Sequence, residues 1–241
     1  MRAYEIIVES TKDSFDILTL AKFLADNIEK FIKKAPYYTV FTLEDISRIL
    51  RIKIPKTHSN EIKNILINKY KFKLDNKIEL AQHRAFIDRE TSDYPGYIVL
   101  NIKNLIDNAR LEPGIAHEMR HAIDNVKSVG KNNSLTTQNV LDTRTYLNLQ
   151  NEINARFTEV LVHLVKATPS KETLEPIISI LFNMHLLNRS IFPKNQQGQK
   201  QYNRLFSRAY KFYDELSKLS KVDKTTWWDK VKTLINKFKL T

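Results

Sequence analysis

Cysteine is absent from this 241-residue chain. Disulfides, thiolate zinc sites, iron–sulfur clusters and cysteine nucleophiles are therefore excluded, and any transition metal has to rest on His, Asp or Glu. Glycine and proline are scarce, at four and seven residues, which leaves few tight turns and predicts a mostly helical protein. Nowhere do about 18 apolar residues run together, and the opening stretch MRAYEIIVESTKDSFDILTL contains no apolar core followed by a small-residue cleavage site. The expectation is a soluble, cytoplasmic protein without a transmembrane segment.

Charge is present in excess and unevenly placed. The net charge is +12; from Lys194 to Thr241 twelve Lys or Arg stand against four Asp or Glu, so this tail carries +8 and the first 193 residues only +4. Such a tail can attract an acidic partner, a nucleic acid or an anionic membrane surface, and a solvated lysine-rich helix surface is the plainer reading.

Apolar periodicity supplies the elements. Phe15, Leu18, Phe23 and Ile28 follow one stripe of a helix that ends in basic residues before Pro36. Thr42 is the expected N-cap of a second helix, with Asp45 three residues later as an acidic capping-box partner. The helical pattern continues through HSNEIKNILINKY, with His58 at its N-terminus. KFKLDNKIEL follows, where Asp75 and Asn76 can turn a hairpin. Together these pieces suggest a winged helix only thinly, since no helix carries an obvious set of base-reading Arg or Asn. KIELAQHRAFI and GYIVLNI are the clearest strands, separated by the turn-prone DRETSDYPG. Further helices are expected at about 136–167, 171–187 and 200–220 and in TTWWDKVKTLINKFKL, where paired Trp227 and Trp228 are read as packing residues.

GIAHEMRHAID places His117 and His121 four positions apart with Glu118 directly after the first. On an α-helix residues i and i+4 lie one turn apart on the same face, so the two imidazoles can share one metal ion. Glu118 is offset around the axis, within reach of a water at an open metal position, which is the place of a general base. Ile115, Ala116, Met119, Ala122 and Ile123 are apolar enough to bury the rest of the helix. Asp124 shares the histidine face and is a candidate to hold an imidazole by its far N–H. The competing reading is a helical binding or assembly protein in which the motif is a chance occurrence or holds a structural metal.

A catalytic zinc normally takes three protein ligands and leaves one position for water. Candidates for the third are Glu152, Glu159, His163, Asp142 and Asp124. NEINARFTEV begins 30 residues after His121, and with it the chain resembles the gluzincins, the thermolysin-like zincin metallopeptidases. Asn151, Glu152 and Ala155 match that clan's second motif, in which a Glu on a later helix completes the triad; Arg156 departs from the Asp that often follows. The resemblance covers the two motifs and the preceding strands, about ninety residues, and implies Zn²⁺ held by His117, His121 and Glu152, with peptide-bond hydrolysis as the reaction. In some gluzincins a Tyr upstream of the ligand Glu donates to the oxyanion, and Tyr146 stands near that place, although a packed aromatic is the simpler reading of it.

The expected architecture is mostly α with a small antiparallel β-sheet: a helical lead-in over 1–75, a zincin-like catalytic core over 76–168, and a helical region with the basic tail over 169–241. A DNA-associated protease of the SprT-like kind is the rival within metallopeptidases. It resembles the chain less, because that group takes a third His shortly downstream and AIDNVKSVGKNNSLTTQ contains none. His58, His83, His163 and His185 have no partner at ligand spacing and read as core or surface residues.

Overall fold

A computed structural model describes residues 11–85, 96–129, 154–166 and 224–238, with scattered residues between 196 and 219. The protein is mostly helical with one small mixed sheet. It divides into two compact units, Lys12–Val140 and Leu141–Thr241 with Met1–Thr11.

The first unit opens with α1 (Thr11–Lys34). Ile17, Leu20, Ala21, Leu24, Ile28 and Phe31 are fully buried, a spacing of three and four that makes one continuous seam. Of the expected stripe, Ile28 lies in this seam, Leu18 and Phe23 lie on its buried margin, and Phe15 is half-buried. Two-residue β1 (Val40–Phe41) leads into α2 (Leu43–Leu50), whose capping box is the expected one. The Asp45 N–H donates to Thr42 Oγ1 at 3.1 Å and the Thr42 N–H donates to Asp45 Oδ2 at 2.9 Å. Arg51 ends α2 in the left-handed region at φ 58°, unusual for a non-glycine residue. Ser59 caps the short α3 (Asn60–Lys63), which runs on into a π-helical stretch, Asn64–Lys69, closed by Tyr70 N–H donating to the Ile65 carbonyl at 3.0 Å.

Strands β2 (Lys71–Leu74), β3 (Ala81–Ala85) and β4 (Gly96–Leu100) complete a sheet in the order β1-β2-β4-β3. Both expected strands are present and paired antiparallel, Ala81 opposite Leu100 and Ala85 opposite Gly96. The sheet is mixed, not antiparallel: β4 runs parallel to β2, with Phe72 opposite Ile98. The expected hairpin at Asp75 and Asn76 does not form, because β4 lies between β2 and β3. Residues 75–80 arch past the end of β4 instead. Asp75 N–H donates to the Leu100 carbonyl at 3.0 Å and Asn101 N–H to the Leu80 carbonyl at 2.8 Å. The physical reason is hydrophobicity: Ile98, Val99 and Leu100 are fully buried, and so apolar a strand is better used in the centre of a sheet than at its rim. Without a paired β2–β3 wing the winged-helix reading falls.

In the second unit residues 154–166 are helical, and Lys224–Phe238 forms a further helix. Trp227 is buried and donates from Nε1 to the Leu164 carbonyl at 3.0 Å. Among the described residues no helix is long and apolar enough to cross a membrane.

Candidate metal centre

The motif helix is placed by the end of β4. Asn101, buried just past the strand, caps α4 (Ile102–Asp107) by accepting from the Asn104 N–H at 3.2 Å. Its Nδ2 donates to the carbonyls of Ile78 at 2.8 Å and Asn76 at 3.3 Å, which ties the arch to the helix start. Ala109, at φ 54°, reverses the chain into α5 (Leu111–Val129). Gly114 lets α5 lie close on α4: a Cβ there would stand 2.8 Å from Leu105 Cδ2. α5 then packs against β3, β4, α4 and the π-helical stretch. Ile115, Ala116, Met119, Ala122 and Ile123 are all fully buried, as their pattern predicts.

His117 and His121 are half-buried on one face of α5. Their Nε2 atoms lie 3.1 Å apart, with ring centroids 4.8 Å apart and planes inclined by 75°. The separation is that of a hydrogen bond between the two imidazoles, and it is also close to the about 3.3 Å between two ligands each about 2 Å from a tetrahedral ion. The donor chemistry fits as well: two imidazole nitrogens suit zinc, and this chain has no thiolate to compete with them. With about 100° of rotation per residue, Glu118 lies to one side of the histidine stripe and Arg120 to the other. Both are buried, Glu118 at 8% and Arg120 at 4% exposure.

Arg120 Nη2 meets Asp124 Oδ1 at 2.8 Å, one turn along the helix and out of water. The Asp124 carboxylate, expected to orient an imidazole, thus has a guanidinium partner. Sequence reasoning missed this pairing although its signal, opposite charges at i and i+4, was present. It also missed Tyr70. This fully buried residue accepts from Asn125 Nδ2 at 3.2 Å and joins α5, one turn beyond His121, to the end of the π-helical stretch. No short motif announces a bond between residues so far apart in sequence.

The other candidates for the third ligand belong to the second unit. Asp142, Tyr146, Asn151 and Glu152 lie outside the described residues, as does His185. Within residues 154–166 Ala155 is fully buried, Glu159 half-buried and His163 exposed. Among the described residues no group of three or more His, Asp or Glu converges as a metal site. Of the other histidines, His83 sits opposite Ile98 in the β3–β4 ladder. His58 lies just before the Ser59 cap, and its Nδ1 stands 3.0 Å from Asp16 Oδ1. Compared with protein-family models, curated proteins and solved structures, the chain matches none.

Proposed function

We propose that the chain is a zinc-dependent metallopeptidase, the simplest use of a buried helix that presents two converging imidazoles beside a carboxylate. The observation that carries this reading is the 3.1 Å separation of His117 Nε2 and His121 Nε2 one helical turn apart. In this reading His117, His121 and Glu152 hold the ion. When bound, zinc supplies Lewis acidity, lowering the pKa of a water and polarising a carbonyl. The protein's own part is to fix both Nε2 atoms on a rigid helix and to keep the Glu118 carboxylate beside them. Glu118 takes the proton of the attacking water on a carboxylate oxygen and returns it to the nitrogen of the leaving amine. Tyr146 is the candidate donor to the oxyanion.

A peptide substrate is favoured by the position of β3. Among the described residues it is the last strand in the order β1-β2-β4-β3, and it packs against α5, so an extended peptide can add to the sheet beside the motif helix. Endopeptidase activity and a cytoplasmic site of action belong to the same reading. The basic tail is proposed as a contact for an acidic partner or nucleic acid. Zinc analysis of full-length protein purified without affinity metals, combined with a peptide library, tests the enzymatic reading. About one equivalent of zinc and chelator-sensitive cleavage are expected; no zinc uptake and no cleavage would reduce the motif to a coincidence of spelling.

A further inference from the structure

Outside the tail, cations gather on one strip of the first unit. Between Asp45 and Glu61 the chain carries Arg48, Arg51, Lys53 and Lys56 and no acidic residue. All four are exposed. Hydrogen bonds fix the segment at both ends. Lys34 Nζ, at the C-terminal end of α1, donates to the Ile49 carbonyl at 2.7 Å. Nearer the start of α1 the buried Asp16 carboxylate accepts from the His58 N–H at 2.9 Å and the Ser59 N–H at 2.7 Å. Asp16 and Lys34 are about 27 Å apart along the helix at 1.5 Å per residue, and the chain from Ile49 to His58 reaches about 30 Å when extended. The segment therefore returns along α1, antiparallel to it, as a nearly taut strap. Ile52, Ile54 and Pro55 are half-buried while the cations stay in water.

Two further observations point to a ligand. Among the described residues Lys30, Lys33, Arg51, Lys53 and Lys56 make no ion pair or side-chain hydrogen bond. A helix C-terminus attracts lysine through its dipole, which accounts for Lys33 in the last turn of α1 but not for Lys30, nor for Lys53 and Lys56 beyond the last turn of α2. Beside the end of α1, Tyr37 is 77% exposed. Its ring lies 5.1 Å from that of Tyr38, which packs at 5.7 Å on buried Phe31, so it stands outward on a firm base.

We propose that this strap, with Lys30, Lys33 and Tyr37, binds single-stranded nucleic acid. Arg51, Lys53 and Lys56, about 7 and 10 Å apart along an extended chain, take backbone phosphates, and Tyr37 stacks on an unpaired base. An exposed ring has this use only where bases are unstacked, which favours a single strand over a duplex. A membrane surface is disfavoured because the strap's isoleucines are half-buried and, among the described residues, Tyr37 is the one exposed large hydrophobic beside it. The inference is independent of the metal centre.

Fluorescence anisotropy of full-length protein with a labelled oligothymidine at low salt tests it. Arg51→Gln/Lys53→Gln/Lys56→Gln should weaken binding at least tenfold. It should also reduce the slope of log affinity against log salt by about 2, at about 0.7 for each phosphate no longer neutralised. The charge-matched Lys211→Gln/Lys230→Gln/Lys237→Gln variant should weaken it less. Tyr37→Ala should lower affinity for the oligonucleotide several-fold and leave heparin binding unchanged, since heparin has charge but no bases. Absence of binding by the wild type, an unaltered strap triple variant, an equal loss with heparin for Tyr37→Ala, or preference for anionic vesicles over the oligonucleotide would each overturn the proposal. Circular dichroism of each variant confirms that the fold is intact.

Discussion

If the chain is the metallopeptidase proposed, Glu118 and the ligand Glu152 should fail differently when altered. Glu118→Gln keeps the side chain's size but removes its capacity to accept a proton, so zinc content should hold near one equivalent while hydrolysis falls by about 10²–10⁴-fold. Glu152→Ala should lose zinc, activity and thermal stability together, because the ion's binding free energy adds to the folded state. Glu159→Ala and His163→Ala are the parallel variants; if one of them sheds zinc and Glu152→Ala does not, the third ligand has been misassigned. Arg120 and Asp124 give a separate test. Replacing one partner of a buried pair strands the other charge, so Asp124→Ala should cost about 3–5 kcal/mol in urea unfolding, whereas Arg120→Met/Asp124→Leu should cost much less. The histidine stripe was legible from spacing alone, since i and i+4 fix a shared face. The guanidinium–carboxylate pair was less so, because opposite charges at i and i+4 most often sit on a solvated face, and nothing in their spacing says that this pair is out of water.

Elements were legible in proportion to how local their causes are. The α2 capping box depends on two side chains three residues apart, and it is found as written in the sequence. Thr42→Ala should therefore cost about 1 kcal/mol, read as a lower urea midpoint with an unchanged slope. β3 and β4 were equally legible from their branched and aromatic runs. Their neighbours were not: β2 reads as half of a hairpin because local turn chemistry at Asp75 and Asn76 says so, and the buried run Ile98–Leu100 overrules it from a distance. Gly114 is a similar case of long-range cause. Alanine there gains about 1 kcal/mol of helix propensity but drives a methyl into buried Leu105, and overpacking of about 1–3 kcal/mol should win. A Leu105→Val change in the Gly114→Ala background should recover part of the loss, a coupling that a double-mutant cycle measures.

At the scale of the whole molecule, the sequence showed a positive excess and placed its weight in the tail. Folding changes what can be tested there. Trp227 is buried and bonded to the Leu164 carbonyl, so deleting the tail would remove part of the second unit's core along with its lysines. Lysine-to-glutamine changes at exposed Lys230 and Lys237 are the cleaner probe, and a modest loss of heparin affinity with an unchanged melting temperature is the expected outcome. Net charge is summed along the chain, whereas a binding surface is summed over neighbours in space: the run from Arg48 to Lys56 is contiguous in sequence, but its return along α1 toward Lys30, Lys33 and Tyr37 is not.

The sheet order has a consequence in time. β4 is central, yet it follows β1, β2 and β3 in the chain, and α5 comes soon after it. As the polypeptide leaves the ribosome, β2 and β3 emerge before the strand that separates them, and β3 has no native partner until Leu100 has been made. The histidine helix then has a surface on which to settle as soon as it appears. A nascent chain stalled before Gly96 would hold two sides of a sheet with no middle, and the wrong pairing of β2 with β3 would be the trap that synthesis must pass through quickly.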